Sequence, residues 1–322
     1  MTVKKIALEE HFMAPDFVDY WSSTFVNISP DLSGKALGAL SDFGARRLDD
    51  MDANGIEFAV LGLAGPGVQI ERDTALAVKR ARQVNDFLVE KIALQPKRYG
   101  GLAHLAMQDP EAAASELERC VRQLGFSGAM INGATNGVYL DDPRYEIFWE
   151  RAAALDAPVY IHPNNSADHP AMFEGHSELW GPVWSWGVET ATHALRLVFA
   201  GVFERHPNAT LVLGHMGEAI PFQLWRLDSR WEIANRKGRT LAKPPSAYIR
   251  GNIMVTTSGV CSDEPLQCAI SALGADRVMF SADYPFERTV EASHFIEAAA
   301  ISDDVRQQIC WDNAKRVLNL KI

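Results

Sequence analysis

The chain lacks any apolar run approaching the ~18 residues that a membrane-spanning helix needs, and it has no cluster of lysine and arginine. Its 31 Lys and Arg are outnumbered by 41 Asp and Glu, leaving a net charge of −10. Binding to a phosphate backbone needs a local excess of positive charge, so neither nucleic acid nor a membrane is expected as a partner. Cysteine is scarce: Cys120, Cys261, Cys268 and Cys310 stand far apart with no CxxC pair. That excludes a zinc ribbon or a disulfide frame and suggests free thiols in a reducing cytoplasm. The opening MTVKKIALEEHF puts acidic residues where a signal peptide needs its apolar stretch. Internal repeats, low-complexity tracts and an interdomain linker are missing as well.

What is present is an ordinary globular composition, 47% hydrophobic and 22% charged over 322 residues, which excludes global disorder. The length suits two average domains or one long α/β barrel. Eight short β-rich runs recur, at 6–12 (IALEEHF), 58–64, 99–107, 128–133, 158–163 (PVYIHP), 210–216 (TLVLGHM), 253–259 and 278–285 (VMFSADYP). Several are almost continuously apolar, as strands buried on both faces should be. Helical patterns fall between them, at 73–94, 109–124, 143–155, 188–204, 218–236, 264–273 and 290–300. Asp109-Pro110 reads as an N-cap followed by proline at the first helical position. Gly125 and Gly274 follow helical runs, where a C-terminal cap wants a left-handed residue. Eight strands alternating with helices predict a single (β/α)8 TIM-type barrel domain over 1–322.

Two segments exceed a minimal barrel, 13–45 after the first strand and 164–187 after the fifth. Long loops at strand C-termini usually serve the site that barrels build on that face. They hold Trp21, Trp180, Trp184 and Trp186, which could lid a flat apolar substrate or simply pack the loops or a subunit interface.

Polar residues at the strand tips carry the chemistry. Glu9 and His11 lie two apart and so share a face. The fifth strand ends at His162, the sixth at His215 in LGHMGE and the eighth at Asp283 in FSADYP. A barrel brings these tips round one mouth, converging one Glu, three His and one Asp. Carboxylate oxygens and imidazole nitrogens without thiolate suit Zn²⁺, Mn²⁺ or Fe²⁺. His104, His193, His206 and His294 read as structural or solvated. His176, in the loop after the fifth strand, is a candidate substrate contact. Asn132 could bond a ring hydroxyl. Arg226 could oppose substrate charge or form a helix-surface ion pair.

The motifs ALEEHF, YIHP, LGHMGE, TTSG and FSADYPFE, in that order, resemble those of the amidohydrolase-type aromatic acid decarboxylases. The nearest are the γ-resorcylate (2,6-dihydroxybenzoate) and 2,3-dihydroxybenzoate decarboxylases, and GPVWSWGVETATHALRL resembles the γ-resorcylate group. The resemblance implies one divalent metal, Zn²⁺ or Mn²⁺, held by Glu9, His11, His162 and Asp283, with no organic cofactor. It places His215 and Glu218 beside the metal as an acid/base pair and makes Asp283 the proton donor. It also implies a homodimer or homotetramer acting on a small aromatic carboxylic acid; Trp21, from the loop after the first strand, is the candidate substrate contact among the lid tryptophans. Most metal hydrolases of this fold open with His-x-His, whereas this chain has Glu9-x-His11, as the decarboxylase branch does. The expected reaction is non-oxidative decarboxylation of an ortho-hydroxylated benzoate. A lactonase or hydratase of the same fold is the alternative. A barrel that had lost catalysis would show a broken ligand set, and this one is complete.

Overall fold

The computed structural model describes residues 3–22, 30–234 and 241–322. Eight parallel strands, β1 (Lys5–Phe12), β2 (Ile56–Leu63), β3 (Tyr99–Ala103), β4 (Gly128–Asn132), β5 (Val159–His162), β6 (Leu211–Leu213), β7 (Ile253–Thr256) and β8 (Val278–Met279), pair in sequence order. With helices between them they form the nearly closed barrel that the alternating pattern predicts. Residues in β1 to β8 are buried almost throughout, because side chains meet the barrel interior on one face and the helix layer on the other. The interior is filled by Ile6, Leu8, Val60, Met130, Val212 and Met254 among others. The larger cluster lies between strands and helices.

Helix starts follow local chemistry. The Asp73 side chain accepts from Leu76 N–H and caps Thr74–Leu94, and Asp109 does the same through Ala112 N–H for Pro110–Arg122. Gly125 takes a positive φ of 74°, in line with the predicted cap, whereas Gly274, with φ 107° and ψ 147°, ends Asp263–Leu273 outside the left-handed helical region.

Four expectations are corrected. The run 188–204 is two helices, Ser185–Phe199 and Val202–Arg205, because the left-handed Gly201 breaks the ladder between them. The segment 13–45 is largely helical, with Val18–Ser22 and Pro30–Leu40; residues 23–29 lie outside the described set. Several strands stop earlier than expected: β6 ends at Leu213 and β8 at Met279. The predicted helix 218–236 begins after a kink and runs Ile220–Ala234, its last two residues lying outside the described set. Helices Ala45–Ala53 and Pro245–Asn252 were not anticipated. No helix among the described residues is long and apolar enough to cross a membrane.

Candidate metal centre and active site

Strict alternation along β1 would turn Glu9 and His11 the wrong way, since Ile6 and Leu8 already point into the barrel. The register against β2 resolves this. Ala7 pairs with Ala59 but Glu10 pairs with Leu61, so β1 carries one extra residue between them. Such a bulge re-aims the strand, and Glu9 and His11 both enter the mouth while Glu10 turns outward.

On β5, Tyr160 lies in the barrel interior and His162 stands two residues further toward the mouth. The Tyr160 hydroxyl donates to Glu9 Oε2 and lies 3.0 Å from Thr256 Oγ1. This pins one Glu9 oxygen and leaves Oε1 facing His162 Nε2 at 3.5 Å. The backbone of Gly214 passes so close that a Cβ there would lie 2.6 Å from Glu9 Oε2, so only glycine fits beside this carboxylate. Asp283, with φ 66°, presents Oδ1 to His11 Nε2 at 3.2 Å and Oδ2 to His215 Nε2 at 3.7 Å.

Glu9, His11, His162 and Asp283 each offer one ligand atom, all within 4.8 Å of one another, and all four residues are buried. Glu9 Oε1, both nitrogens of His11, His162 Nδ1 and Asp283 Oδ1 are buried with no hydrogen-bond partner. Orphaned polar atoms are costly singly and rare in groups. Their convergence, and their oxygen and nitrogen chemistry, fit a divalent cation of the Mn²⁺ or Zn²⁺ kind.

His215 and Glu218 come from a tight turn after β6. His215, Met216, Gly217, Glu218 and Ala219 all have positive φ, from 49° to 77°. Four non-glycine residues in the left-handed region store strain, and the result brings His215 Nδ1 to 2.8 Å from Glu218 Oε1. Gly187 makes room, because a Cβ there would sit 2.9 Å from Glu218 Oε2.

Burial raises the Glu9 carboxyl, and His215 and His11 oppose it. Burial also pushes His162 well below the ordinary imidazole range, with the nearby His11 adding to the effect. Burial pulls His215 down as well, yet the Glu9 and Glu218 carboxylates reverse this and hold it well above its ordinary value. Burial acts upward on Asp283, but the His11 and His215 imidazoles outweigh it and keep the carboxyl low. The site therefore favours an ionised Asp283 beside a protonated His215.

Aromatic rings wall the mouth. The Phe286 ring lies 5.4 Å from His11 and 6.4 Å from the buried Trp21, and Trp186 lies 6.5 Å from His162. Asn132 is wholly buried at the tip of β4, and its side-chain oxygen and nitrogen have no partner. His176 instead lies on the surface, 3.0 Å from Glu178 Oε1, and Arg226 is exposed on Ile220–Ala234. No described contact joins either to the cluster. His104 and His193 are buried and accept from the backbone N–H groups of Val68 and Leu140. Tyr160, Glu10 and Phe286 escaped the sequence reading. Spacing alone could have found Tyr160, which shares the face of His162.

Residues 19–320 match the Amidohydrolase family. The chain is 43% identical to gamma-resorcylate decarboxylase of Polaromonas sp. over 98% of each protein. It superposes on 2,6-dihydroxybenzoate decarboxylase complexed with 2,6-dihydroxybenzoate with a TM-score of 0.93 and 39% identity, over 99% of this chain and 100% of that one. A dihydroxybenzoic acid decarboxylase from Polaromonas sp. with bound manganese and the inhibitor 2-nitroresorcinol gives a TM-score of 0.92 and 41% identity, covering 99% of this chain and 98% of that one.

Proposed function

This chain belongs to the amidohydrolase family, and on that premise we propose that it is a metal-dependent carboxy-lyase. It converts an ortho-hydroxylated benzoate, with 2,6-dihydroxybenzoate the first choice, to the phenol and CO₂ without an organic cofactor. The observation that carries this reading is the position of Asp283, with one oxygen facing His11 in the ligand cluster and the other facing His215 of the acid/base pair.

Glu9, His11, His162 and Asp283 would hold the metal, Mn²⁺ before Zn²⁺. When bound, it supplies Lewis acidity and an anchor for the substrate's oxygens. The rest of the chemistry falls to side chains. A benzoate resists simple loss of CO₂ because the departing pair would occupy an sp² orbital outside the π system. Protonating the carboxylate-bearing ring carbon first avoids this, and an ortho hydroxyl makes that carbon basic. Asp283 delivers the proton to the carbon. The C–C bond then breaks, its electron pair returns to the ring, aromaticity is restored and CO₂ leaves. His215 returns a proton to Asp283 through Nε2, while Glu218 accepts from Nδ1–H and fixes that tautomer. Trp21, Phe286 and Trp186 flank the ring and exclude water, and Asn132 meets a ring hydroxyl through its unpaired amide. Fixing the ring against the donor turns orientation into rate.

Metal-loaded protein given a panel of hydroxybenzoates tests the reading. The expected result is CO₂ and the corresponding phenol from 2,6-dihydroxybenzoate. Inertness toward every hydroxybenzoate combined with opening of a lactone would favour the hydrolase alternative.

We further place the protein in the cytoplasm as a homodimer or homotetramer of single-domain subunits. The four free cysteines agree with a reducing compartment. Phe222 and Trp225, each 77% exposed, and Ile233, 58% exposed, lie along Ile220–Ala234. Apolar side chains this exposed support a subunit interface. Trp225→Glu is expected to shift sedimentation velocity toward the monomer; an unchanged oligomer would move the interface elsewhere.

A further inference from the structure

The ligand set is divided across a seam. Glu9 and His11 come from β1, and Asp283 from the segment after β8, which is only two residues long. The ladder runs from β1 round to β8 without pairing those two strands to each other. One backbone bond crosses the seam, from His11 N–H to the Tyr284 carbonyl at 2.8 Å. The other described bonds there run through side chains. Glu9 N–H donates to Ser281 Oγ at 2.8 Å, Ala282 N–H donates to Glu10 Oε1 at 3.0 Å, and Ser281 Oγ lies 3.4 Å from the same oxygen.

Behind Glu10 stands Arg47, 2% exposed, from helix Ala45–Ala53. Its Nη2 donates to the His11 carbonyl at 2.6 Å, and its guanidinium carbon lies 4.6 Å from the centre of the Tyr284 ring. Each of these two buried residues therefore touches both sides of the seam. Glu10 reaches from β1 to Ala282, the residue before Asp283. Arg47 grips the residue after Glu10 and stacks on the residue after Asp283. Asp283 itself is left-handed, a conformation that persists in a non-glycine residue only where surrounding contacts impose it.

We infer that Glu10, backed by Arg47, is the positioning strap that holds Asp283 in register with Glu9 and His11 across the open seam. Glu10 faces away from the mouth and touches no reacting atom. It acts by accepting from Ala282 N–H where a longer β8 would have supplied a ladder. The inference rests on the proposed metal set. Its consequence is a metal affinity that depends on a carboxylate which is not itself a ligand. Groups that orient metal ligands typically contribute 10–100-fold to affinity.

Chelator competition on the full-length metal-free chain, titrated with Mn²⁺, tests the strap. Glu10→Ala is expected to weaken Mn²⁺ binding about 10–100-fold. Glu10→Gln should stay within about threefold of wild type, because its amide oxygen still accepts from Ala282 N–H. A purely structural Glu10 would lower the melting temperature of the metal-free protein and leave the Mn²⁺ affinity unchanged. A folded Glu10→Ala with wild-type affinity overturns the strap, as does a Glu10→Gln variant as weak as Glu10→Ala. Should Glu10→Ala fail to fold, the double variant Glu10→Leu/Arg47→Met replaces the pair with apolar side chains of similar volume. The same loss is expected there, and wild-type affinity again overturns the inference. Wild-type protein that binds no Mn²⁺ would defeat the metal centre itself, a different result from a variant that binds as well as wild type.

Discussion

Asp283→Asn is expected to lose activity by about three orders of magnitude or more, the scale for removing a positioned general acid, even with Mn²⁺ restored in excess. A residue that only held the metal would behave differently. An amide oxygen can still coordinate, so affinity would fall while turnover partly survived. An amide has no comparably acidic proton, so an Asp283 that hands a proton to carbon cannot be replaced this way. The geometry favours the second role. Oδ2 lies 3.7 Å from His215 Nε2, and Glu218 holds the far nitrogen of that imidazole at 2.8 Å, giving the proton a route back to Asp283. Because Asp283 Oδ2 faces His215 Nε2, the imidazole is the group that can hand a proton to Asp283. Exchange of the product's ring proton with D₂O, the reverse of the same step, should vanish together with decarboxylation. A metal-replete Asp283→Asn enzyme of near-native turnover would move the donor to His215.

Much of this site could be read from the chain because barrel topology turns sequence order into angular position. Eight apolar runs in alternation with helices put His162, His215 and Asp283 at the fifth, sixth and eighth tips round one mouth, whatever the strand boundaries. The boundaries themselves depend on tertiary contacts that a linear pattern does not contain. VMFSADYP alternates like a strand to its end, yet β8 stops at Met279 because β1 gives it no ladder and Asp283 turns left-handed. TLVLGHM likewise reads through to Met216, but consecutive left-handed residues begin at His215. The helix Pro30–Leu40 was hidden by Pro30, Gly34 and Gly38, residues that signal loops when read locally. The shared face of Glu9 and His11 follows from their spacing, whereas their inward direction depends on the bulge against β2. Glu10 and Arg47 gave no signal, since a charged residue in a strand and another in an amphipathic helix both look like surface until the seam between them is seen.

His162→Ala should leave the protein with little bound metal and almost no turnover. Of the four clustered residues, His162 is the one that can be removed with least disturbance to its neighbours. Its β5 backbone is held by ladders to β4 and β6, and its Nδ1 has no partner to orphan. Glu9 is different, because the buried Tyr160 hydroxyl donates to it and would lose that acceptor, keeping Thr256 Oγ1 alone. Asp283 is different too, because it carries the proton as well as a ligand atom. At His162, loss of activity therefore reports loss of coordination. Three donors would remain, two of them the buried carboxylates of Glu9 and Asp283, and they repel each other without a cation between them. That repulsion opposes retention of the original geometry, so the expected deficit exceeds what one missing ligand atom would cause. Elemental analysis after dialysis should show well under one Mn²⁺ per chain in the variant and about one in the wild type, the stoichiometry of a single four-ligand site. Chelation of the wild type should abolish CO₂ release, and Mn²⁺ should restore it. Full metal occupancy in His162→Ala would remove His162 from the ligand set and leave Glu9, His11 and Asp283 to hold the ion alone.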